Sequence, residues 1–214
     1  MNDRLERFGY LAGAVAAVLW LVSLFVLEGA GNPADPSAGS EIAEFYRDER
    51  ATILAAATVH TLGGFLFLWF VAVLRPVLDR AGVPWLTTAA VVGGTAGGGM
   101  MLAMMGGQST GATTDTELLD AATSIVFWRL AHGFFVAAEI ALALFVAAVA
   151  ILALRRLVLS RWIGWSGIVV AALLLIPPIG WAALLFLFPL WLIAVAVTLW
   201  RTMPAASPRA PAAA

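Results

Sequence analysis

Three ionisable side chains stand inside long apolar stretches of this sequence, where such groups are costly. Glu139 is the one acidic residue in such a stretch, His132 lies in the same stretch, and His60 lies in an earlier one. At about 100° per residue, Arg129, His132 and Glu139 fall within about 80° of one another on a helix. They therefore form one polar stripe, whose chemistry would be hydrogen bonding, proton transfer or ligand binding.

His60 and Glu139 have similar depths along their helices. Glu139 lies 15 residues before Leu154, and His60 lies 14 residues before Leu74. These separations correspond to helix rises of about 22 Å and about 21 Å. The sequence therefore predicts a contact between His60 and Glu139 in the outer half of the bundle, beneath the rest of the stripe.

Three interpretations of the cluster of His60, Arg129, His132 and Glu139 stay open. The cluster is a pocket that binds a solute or relays a proton, an interhelical hydrogen bond that fixes packing, or a metal or haem site. Two histidines on different helices ligate one haem only at matching depth. His132 lies about 12 Å further from the inner boundary than His60, which counts against haem.

A second unusual pattern is a glycine-rich segment followed by four methionines. Gly93, Gly94, Gly97 and Gly98 form two overlapping G-x-x-x-G pairs, which let helices approach closely and mark this segment as the packing centre of the bundle. Thioethers are soft ligands for Cu(I), and the candidates for such a site are Met100, Met101, Met104 and Met105. Because methionine also fills gaps in apolar cores, the sequence predicts neither a metal nor a cofactor.

The residue types that the chain lacks exclude other chemistry. It has no cysteine, which rules out disulfides, thiolate metal sites and a cysteine nucleophile. All twelve basic residues are arginine, so lysine-based Schiff-base or P-loop chemistry is ruled out as well. No hydrolase or metalloprotease motif occurs, which predicts a protein that is not an enzyme. The net charge of −1 argues against nucleic acid as a partner.

The composition indicates that a lipid bilayer surrounds these residues. Of 214 residues, 62% are apolar and 12% are charged, and the mean hydropathy is +0.96, whereas soluble domains are about half apolar and a quarter charged. A bilayer core of about 30 Å takes about 20 helical residues. We expect an all-α, six-helix transmembrane bundle forming one domain over residues 1–202, with a disordered cytoplasmic tail at 203–214. The six spans are 10–27, 51–74, 85–105, 125–154, 162–176 and 181–200.

Prolines and polar segments set the boundaries between the expected spans. Pro177 to Gly180 reads as the turn between the last two spans, and Pro189 is expected to kink the last one. From Ser40 onward, early acidic residues and an apolar face predict a short amphipathic helix in the first outer loop. Residues 107–122 form the second outer loop.

The arginines indicate how the bundle is oriented. With the N-terminus in the cytoplasm, nine arginines fall on the inner side and three on the outer side, as the positive-inside rule requires. Both termini are then cytoplasmic. The inner arginines are Arg4, Arg7, Arg75, Arg80, Arg155, Arg156, Arg161, Arg201 and Arg209, and the outer ones are Arg47, Arg50 and Arg129.

Several short motifs resemble a large group of six-helix membrane proteins of high-GC, actinobacterial-type bacteria, whose function is unknown. The motifs are Glu41-Ile-Ala-Glu-Phe-Tyr46, the loop from Arg75 to Arg80, Ser160-Arg161-Trp162-Ile163-Gly164-Trp165, Phe188-Pro189-Leu190-Trp191 and Leu199-Trp200-Arg201. The resemblance covers nearly the whole chain. It implies the six-helix topology and carries no activity or site residue.

The sequence supports one main interpretation and two alternatives. The main one is a non-enzymatic integral membrane protein that binds a lipid or a small apolar ligand, or serves as a partner subunit, either in a homo-oligomer or with another membrane protein. The first alternative is a small-solute or proton-coupled transporter that uses the Glu139 and histidine cluster. The second is a membrane redox protein that binds copper or haem.

Overall fold

The computed structural model describes residues 3–115, 117–155 and 159–202, with side chains from Phe8 onward. The described residues form helices and contain no strand, which confirms the all-α expectation. The expected tail, 203–214, lies outside them. The helices are α1 (Asp3–Glu28), α2 (Gly39–Asp48), α3 (Arg50–Asp79), α4 (Pro84–Thr113), α5 (Ala121–Leu154), α6 (Arg161–Leu174), α7 (Pro177–Ala182) and α8 (Phe188–Thr202), with a π-helical segment, Ala183–Leu187, between α7 and α8.

Five of the described helical segments are long and apolar enough to cross a membrane. They are Phe8–Glu28, Arg50–Asp79, Pro84–Thr113, Ala121–Leu154 and Pro177–Thr202. Helix α6 is apolar but has only 14 residues, which correspond to about 21 Å against a hydrocarbon core of about 30 Å. A sixth crossing therefore stays a prediction.

Contacts at glycines show that consecutive long helices are antiparallel. Gly9 packs on Val73 while Gly63 packs on Trp20, so α1 and α3 run in opposite directions. In the same way, α4 is antiparallel to α3, because Gly94 packs on Val71 and Gly64 packs on Leu102. Helix α5 is antiparallel to α4, since Gly93 lies at Phe145 and Gly107 lies at Ala131. The bundle is thus an up-and-down arrangement with α4 between α3 and α5.

The centre of the bundle is an aromatic cluster around Phe67 of α3. Its ring lies 5.1 Å from Trp20 of α1, 5.6 Å from Phe145 of α5 and 5.9 Å from Phe188 of α8, centroid to centroid. Phe67, Phe145 and Phe188 are fully buried. Tilted and edge-to-face aromatic pairs contribute beyond their buried area. This cluster therefore joins α8 to α1, α3 and α5.

Helix α2 forms a cap over one end of the bundle. Its buried face, with Ile42, Phe45 and Tyr46, packs on the ends of α3, α4 and α5. A Cβ atom on Gly39 would collide with the backbone of Ala121, so α2 sits tightly against the start of α5. The short helix expected near Ser40 is present, and its apolar face is covered by protein. Burial raises the pKa of the Tyr46 hydroxyl above its usual range.

Helix α4 continues for two turns beyond the expected end of its span. We expected a loop from residue 107, but the helix ends at Thr113. Tertiary packing explains the difference: Gly111 packs on the Tyr46 ring of α2, and Ala112 is buried in the same cluster. The Thr110 and Thr113 hydroxyls donate to the Gly106 and Ser109 carbonyls, at 2.7 Å and 2.8 Å, so these polar groups are satisfied within the helix. A polar, threonine-rich segment therefore stays helical where α2 covers it.

Prolines start one helix and widen another. Pro177 and Pro178, expected in a turn, occupy the first positions of α7, where the missing amides have no helical partners to lose. The turn lies at Leu175 and Ile176 instead. Before Pro189 the chain adopts the π-helical segment, in which the Phe188 amide donates to the Ala183 carbonyl. Because proline has no amide for the carbonyl four residues earlier, the helix widens there.

Asp120 caps the start of α5 and supports a prediction about pH. Its carboxylate accepts the Thr123 amide at 2.7 Å, and hydrogen bonds from Thr123 lower the pKa of this exposed group. The stability from the cap is therefore present above the unfolded pKa and is lost as the pH falls through the folded pKa. We expect Asp120→Ala to lower the melting temperature at neutral pH and to change little in strong acid. Thermal unfolding followed by circular dichroism checks this, with Asp120→Asn, another good cap, as the control. An equal loss at both pH values would contradict it.

Candidate functional site

A cavity of about 350 Å³ lies inside the bundle, close to the end that α2 caps. Its walls come from α1, α3, α4, α5 and the α7 end of the last long helix. The residues at its mouth follow α1 or lie near the end of α4 and the start of α5. The cavity therefore runs along the helix axes, from the capped end toward the aromatic cluster.

Trp20 and His60 form the closed end of the cavity. Their rings lie 5.8 Å apart and are tilted by 32°, and each side chain is only 5% exposed. Trp20 Nε1 and His60 Nε2 have no hydrogen-bond partner among the described residues. Trp20 Nε1 can only donate a hydrogen bond, whereas His60 Nε2 can donate or accept, depending on its tautomer. The deepest part of the cavity thus carries two unsatisfied polar atoms.

Gly63 and the Phe67 cluster hold Trp20 in this position. A Cβ atom on Gly63 would lie 2.9 Å from Trp20 Cδ1 and 3.2 Å from the Ala16 carbonyl oxygen. A side chain at residue 63 would therefore displace the indole. Phe67 and Phe188 pack on other parts of the Trp20 ring, at 5.1 Å and 6.0 Å. Aromatic rings therefore pack around the closed end, and a glycine leaves room for the indole.

Methionines of α4 give the cavity an apolar wall. Met101, Met104 and Met105 line it, and Met101 and Met105 are almost fully buried. Met100, the remaining candidate metal ligand, does not line the cavity. Within the part of the chain that the structure describes, no three His, Cys, Asp or Glu residues are grouped so that they could hold a metal ion. The wall suits an apolar ligand body.

Polar and aromatic residues surround the mouth. Trp128 and His132 of α5 lie there with ring centroids 6.1 Å apart, and Trp181 of α7 also lines the cavity. Glu28 and Gln108 add hydrogen-bonding groups. Arg129 is exposed and lines a second, shallower hollow outside the mouth, which it shares with His132.

Glu139 lies apart from the cavity, against the turn between α6 and α7. Its side chain is 6% exposed, and its Oε2 atom would be 3.0 Å from a Cβ placed on Gly180. No hydrogen bond or ion pair joins Glu139 to His60 or to any other described residue. Of the four residues expected to form one cluster, the structure brings His60 and His132 to one cavity, puts Arg129 beside the mouth and leaves Glu139 outside.

The four glycines expected to pack helices lie at two different interfaces. Gly93 and Gly97 face α5, where added Cβ atoms would meet Phe145 and Leu142. Gly94 and Gly98 face α3, where they would meet Val71 and Phe67. The first and third of these glycines thus pack on α5, and the second and fourth pack on α3.

Sequence reasoning missed Trp20, Trp128 and Trp181 as parts of the site. Tryptophan commonly lies at membrane interfaces, so the positions of Trp128 and Trp181 in the sequence do not by themselves indicate a binding site. Trp20 had a usable signal, because it lies in mid-span with an indole N–H that needs a partner.

Comparisons with known proteins offer no identity for this site. The chain matches no protein-family model, no curated protein sequence and no solved structure. The assignment of a function therefore rests on the cavity and on the residues that line it.

Proposed function

We propose that this protein is a six-helix integral protein of a bacterial cytoplasmic membrane that binds one small amphiphilic molecule without transforming it. The molecule is a lipid or a small apolar compound that carries a hydroxyl or carbonyl oxygen. The observation that carries the proposal is the pair of unpartnered atoms, Trp20 Nε1 and His60 Nε2, at the closed end of an apolar cavity.

Trp20 Nε1 and His60 Nε2 destabilise the folded protein as long as they have no hydrogen-bond partner. A buried polar atom without a hydrogen bond costs about 1–3 kcal/mol. A hydroxyl group can accept a hydrogen bond from Trp20 or donate one to His60, so its chemistry matches either atom. The methionine wall then packs on the apolar part of the same molecule. A volume of about 350 Å³ is at the lower end of the usual range for ligand pockets, which favours a small ligand.

The direction of the helices supports a cavity that opens on the outer side. Helix α8 runs parallel to α5, since Gly180 lies at Glu139 and Trp191 lies at Phe145. The start of α1 and the end of α8 are therefore at the same end of the bundle, away from α2. That end also carries Arg75, Arg80, Arg155, Arg161 and Arg201, which the positive-inside rule assigns to the cytoplasm. On this assignment α6 and the turn after it make the sixth crossing.

Bundle length also supports this placement. Helix α5 has 34 residues, or about 51 Å, which exceeds the hydrocarbon core by about 20 Å. The excess lies at the α2 end, where a separate buried cluster contains Ile42, Tyr46, Ile53 and Leu119. We infer that this cluster stands outside the membrane and surrounds the entrance.

A pair of brominated probes tests the proposal. Bromine quenches nearby tryptophan fluorescence, and Trp20, Trp128 and Trp181 line the cavity. In nanodiscs we expect saturable quenching by 8-bromooctanol, and about 3- to 10-fold weaker saturable quenching by 1-bromooctane, as the loss of one hydrogen bond implies. In His60→Phe, which keeps the ring and removes Nε2, the preference for the alcohol should shrink. Equal affinities of the wild type for both probes would contradict a polar role for the closed end.

A further inference from the structure

A carboxyl group and an unpaired carbonyl group both lie close to Gly180, next to the turn between α6 and α7. Glu139 Oε2 and the Leu174 carbonyl oxygen would each lie 3.0 Å from the same point, a Cβ on Gly180. The two oxygens are therefore separated by no more than twice that distance. Any side chain at residue 180 would occupy the space that they share, so the close approach needs glycine.

The Leu174 carbonyl lacks a donor because of the two prolines. In a continuous helix it would accept the amide of residue 178, but Pro177 and Pro178 have no N–H group. The next amides are used elsewhere, since Ile179 and Gly180 both donate to the Ile176 carbonyl, at 3.0 Å and 2.8 Å. The Leu174 carbonyl is thus an acceptor without a partner among the described residues.

Glu139 has no neighbouring positive charge. Helices α6, α7 and α8 and the π-helical segment contain no charged residue between Trp162 and Trp200, and α4 contains none. On α5 itself, Arg129 and His132 are exposed and stand about 15 Å and about 10 Å further along the helix. Helix α2 contacts α5 at Ala121, about 27 Å away. A carboxylate buried without a cation is strongly disfavoured, so the neutral acid is the favoured form.

We propose that Glu139 is a proton-binding site, in which the neutral acid holds the proton and donates a hydrogen bond to the Leu174 carbonyl. One acid and one carbonyl make a complete donor–acceptor pair for a proton. They supply too few oxygens for a metal cation such as Mg²⁺ or Ca²⁺, which takes six or more. When the proton leaves to water, only this hydrogen bond is lost, and two electron-rich oxygens then face each other. We expect the turn between α6 and α7 to move away from α5.

This proton is coupled to the cavity through α7, an inference that rests on the proposed function. Trp181 directly follows Gly180 and lines the cavity. A displacement of the turn therefore moves part of the cavity wall. The protonated protein should bind an amphiphile more tightly than the deprotonated one, by at least about fivefold, the lower end of typical coupling between sites.

Infrared spectroscopy tests the proton site without any ligand. In the full-length protein in nanodiscs, we expect a carboxylic acid C=O band at neutral pH that disappears at high pH. The band should be missing in Glu139→Gln and retained in Glu44→Gln, a control in the exposed part of α2. A wild-type spectrum without the band at neutral pH, or with the same band in Glu139→Gln, would overturn the proposal. Loss of the band on adding Na⁺ at constant pH would also overturn it, in favour of a sodium site.

Probe binding at several pH values tests the coupling. The affinity of the wild type for 8-bromooctanol should fall at high pH, whereas Glu139→Gln, whose amide can still donate to Leu174, should keep its affinity. If both proteins show the same pH profile, a group such as His132 at the mouth is responsible and the coupling is wrong. If neither protein binds the probe, the proposed function fails while the infrared result stands on its own.

Discussion

Gly93→Ala is expected to destabilise the bundle by at least about 2 kcal/mol, one of the largest effects of any single methyl group in this protein. The added Cβ would lie 2.7 Å from the Phe145 amide nitrogen and 2.8 Å from the Ala141 carbonyl oxygen. Both are backbone atoms of α5, which cannot turn aside as a side chain can. The change therefore forces α4 and α5 apart along the interface that the glycines form.

Gly99→Ala is the matched control, because it lies on the same helix and adds the same group. Nothing lies within 4 Å of a Cβ at residue 99. Alanine is the better helix former by about 0.5–1 kcal/mol, so this variant should be as stable as the wild type or more so. Thermal unfolding in a mild detergent, followed by circular dichroism, compares the two. If both variants unfold at the same temperature, the close approach of α4 and α5 is wrong.

The helices could be predicted from the sequence because they depend on local patterns. Apolar stretches and flanking arginines indicated every long helix, and Ser40 with the apolar positions after it indicated α2. The ends of the helices are harder to predict: α4 continues to Thr113, where α2 packs on Gly111 and Ala112. A threonine-rich segment has the composition of a loop, and its helical structure depends on this tertiary contact.

The polar cluster could be predicted only in part. The rise of a helix gives the depth of each residue in the bundle, but it does not say which neighbouring helix the residue faces. Glu139 and His60 were assigned similar depths, but the turn between α6 and α7 covers Glu139 on its own side of α5. His132 and His60 differ in depth and still share one cavity, because the cavity runs along the helix axes. Which helix faces which depends on tertiary packing that no local pattern contains.

The glycine segment shows the same division between local and tertiary information. The spacing of Gly93 and Gly97 indicated a close helix contact, but could not indicate which neighbour each row would meet. In the structure Gly93 and Gly97 contact α5, whereas Gly94 and Gly98 contact α3. The difference arises from the rotation of α4 about its own axis, which depends on the packing of all three helices.

Filling the cavity should abolish binding of the amphiphile. Ala131 lines the cavity on α5 and is 1% exposed, so Ala131→Phe adds a ring that occupies the ligand space. Val136, five residues later, is 49% exposed and does not line the cavity, so Val136→Phe adds an aromatic ring on the outside of the bundle. We expect at least tenfold weaker binding in the first variant, about 1.4 kcal/mol, and unchanged binding in the second.

The quenching titration with 8-bromooctanol on these two variants is the most direct test of the proposed cavity. Both variants should first show the wild-type circular dichroism spectrum, so that loss of binding cannot be loss of fold. We expect saturable quenching in the wild type and in Val136→Phe, and at least tenfold weaker quenching in Ala131→Phe. Saturable quenching of equal strength in Ala131→Phe would show that the probe binds elsewhere and that the proposed cavity is not its site.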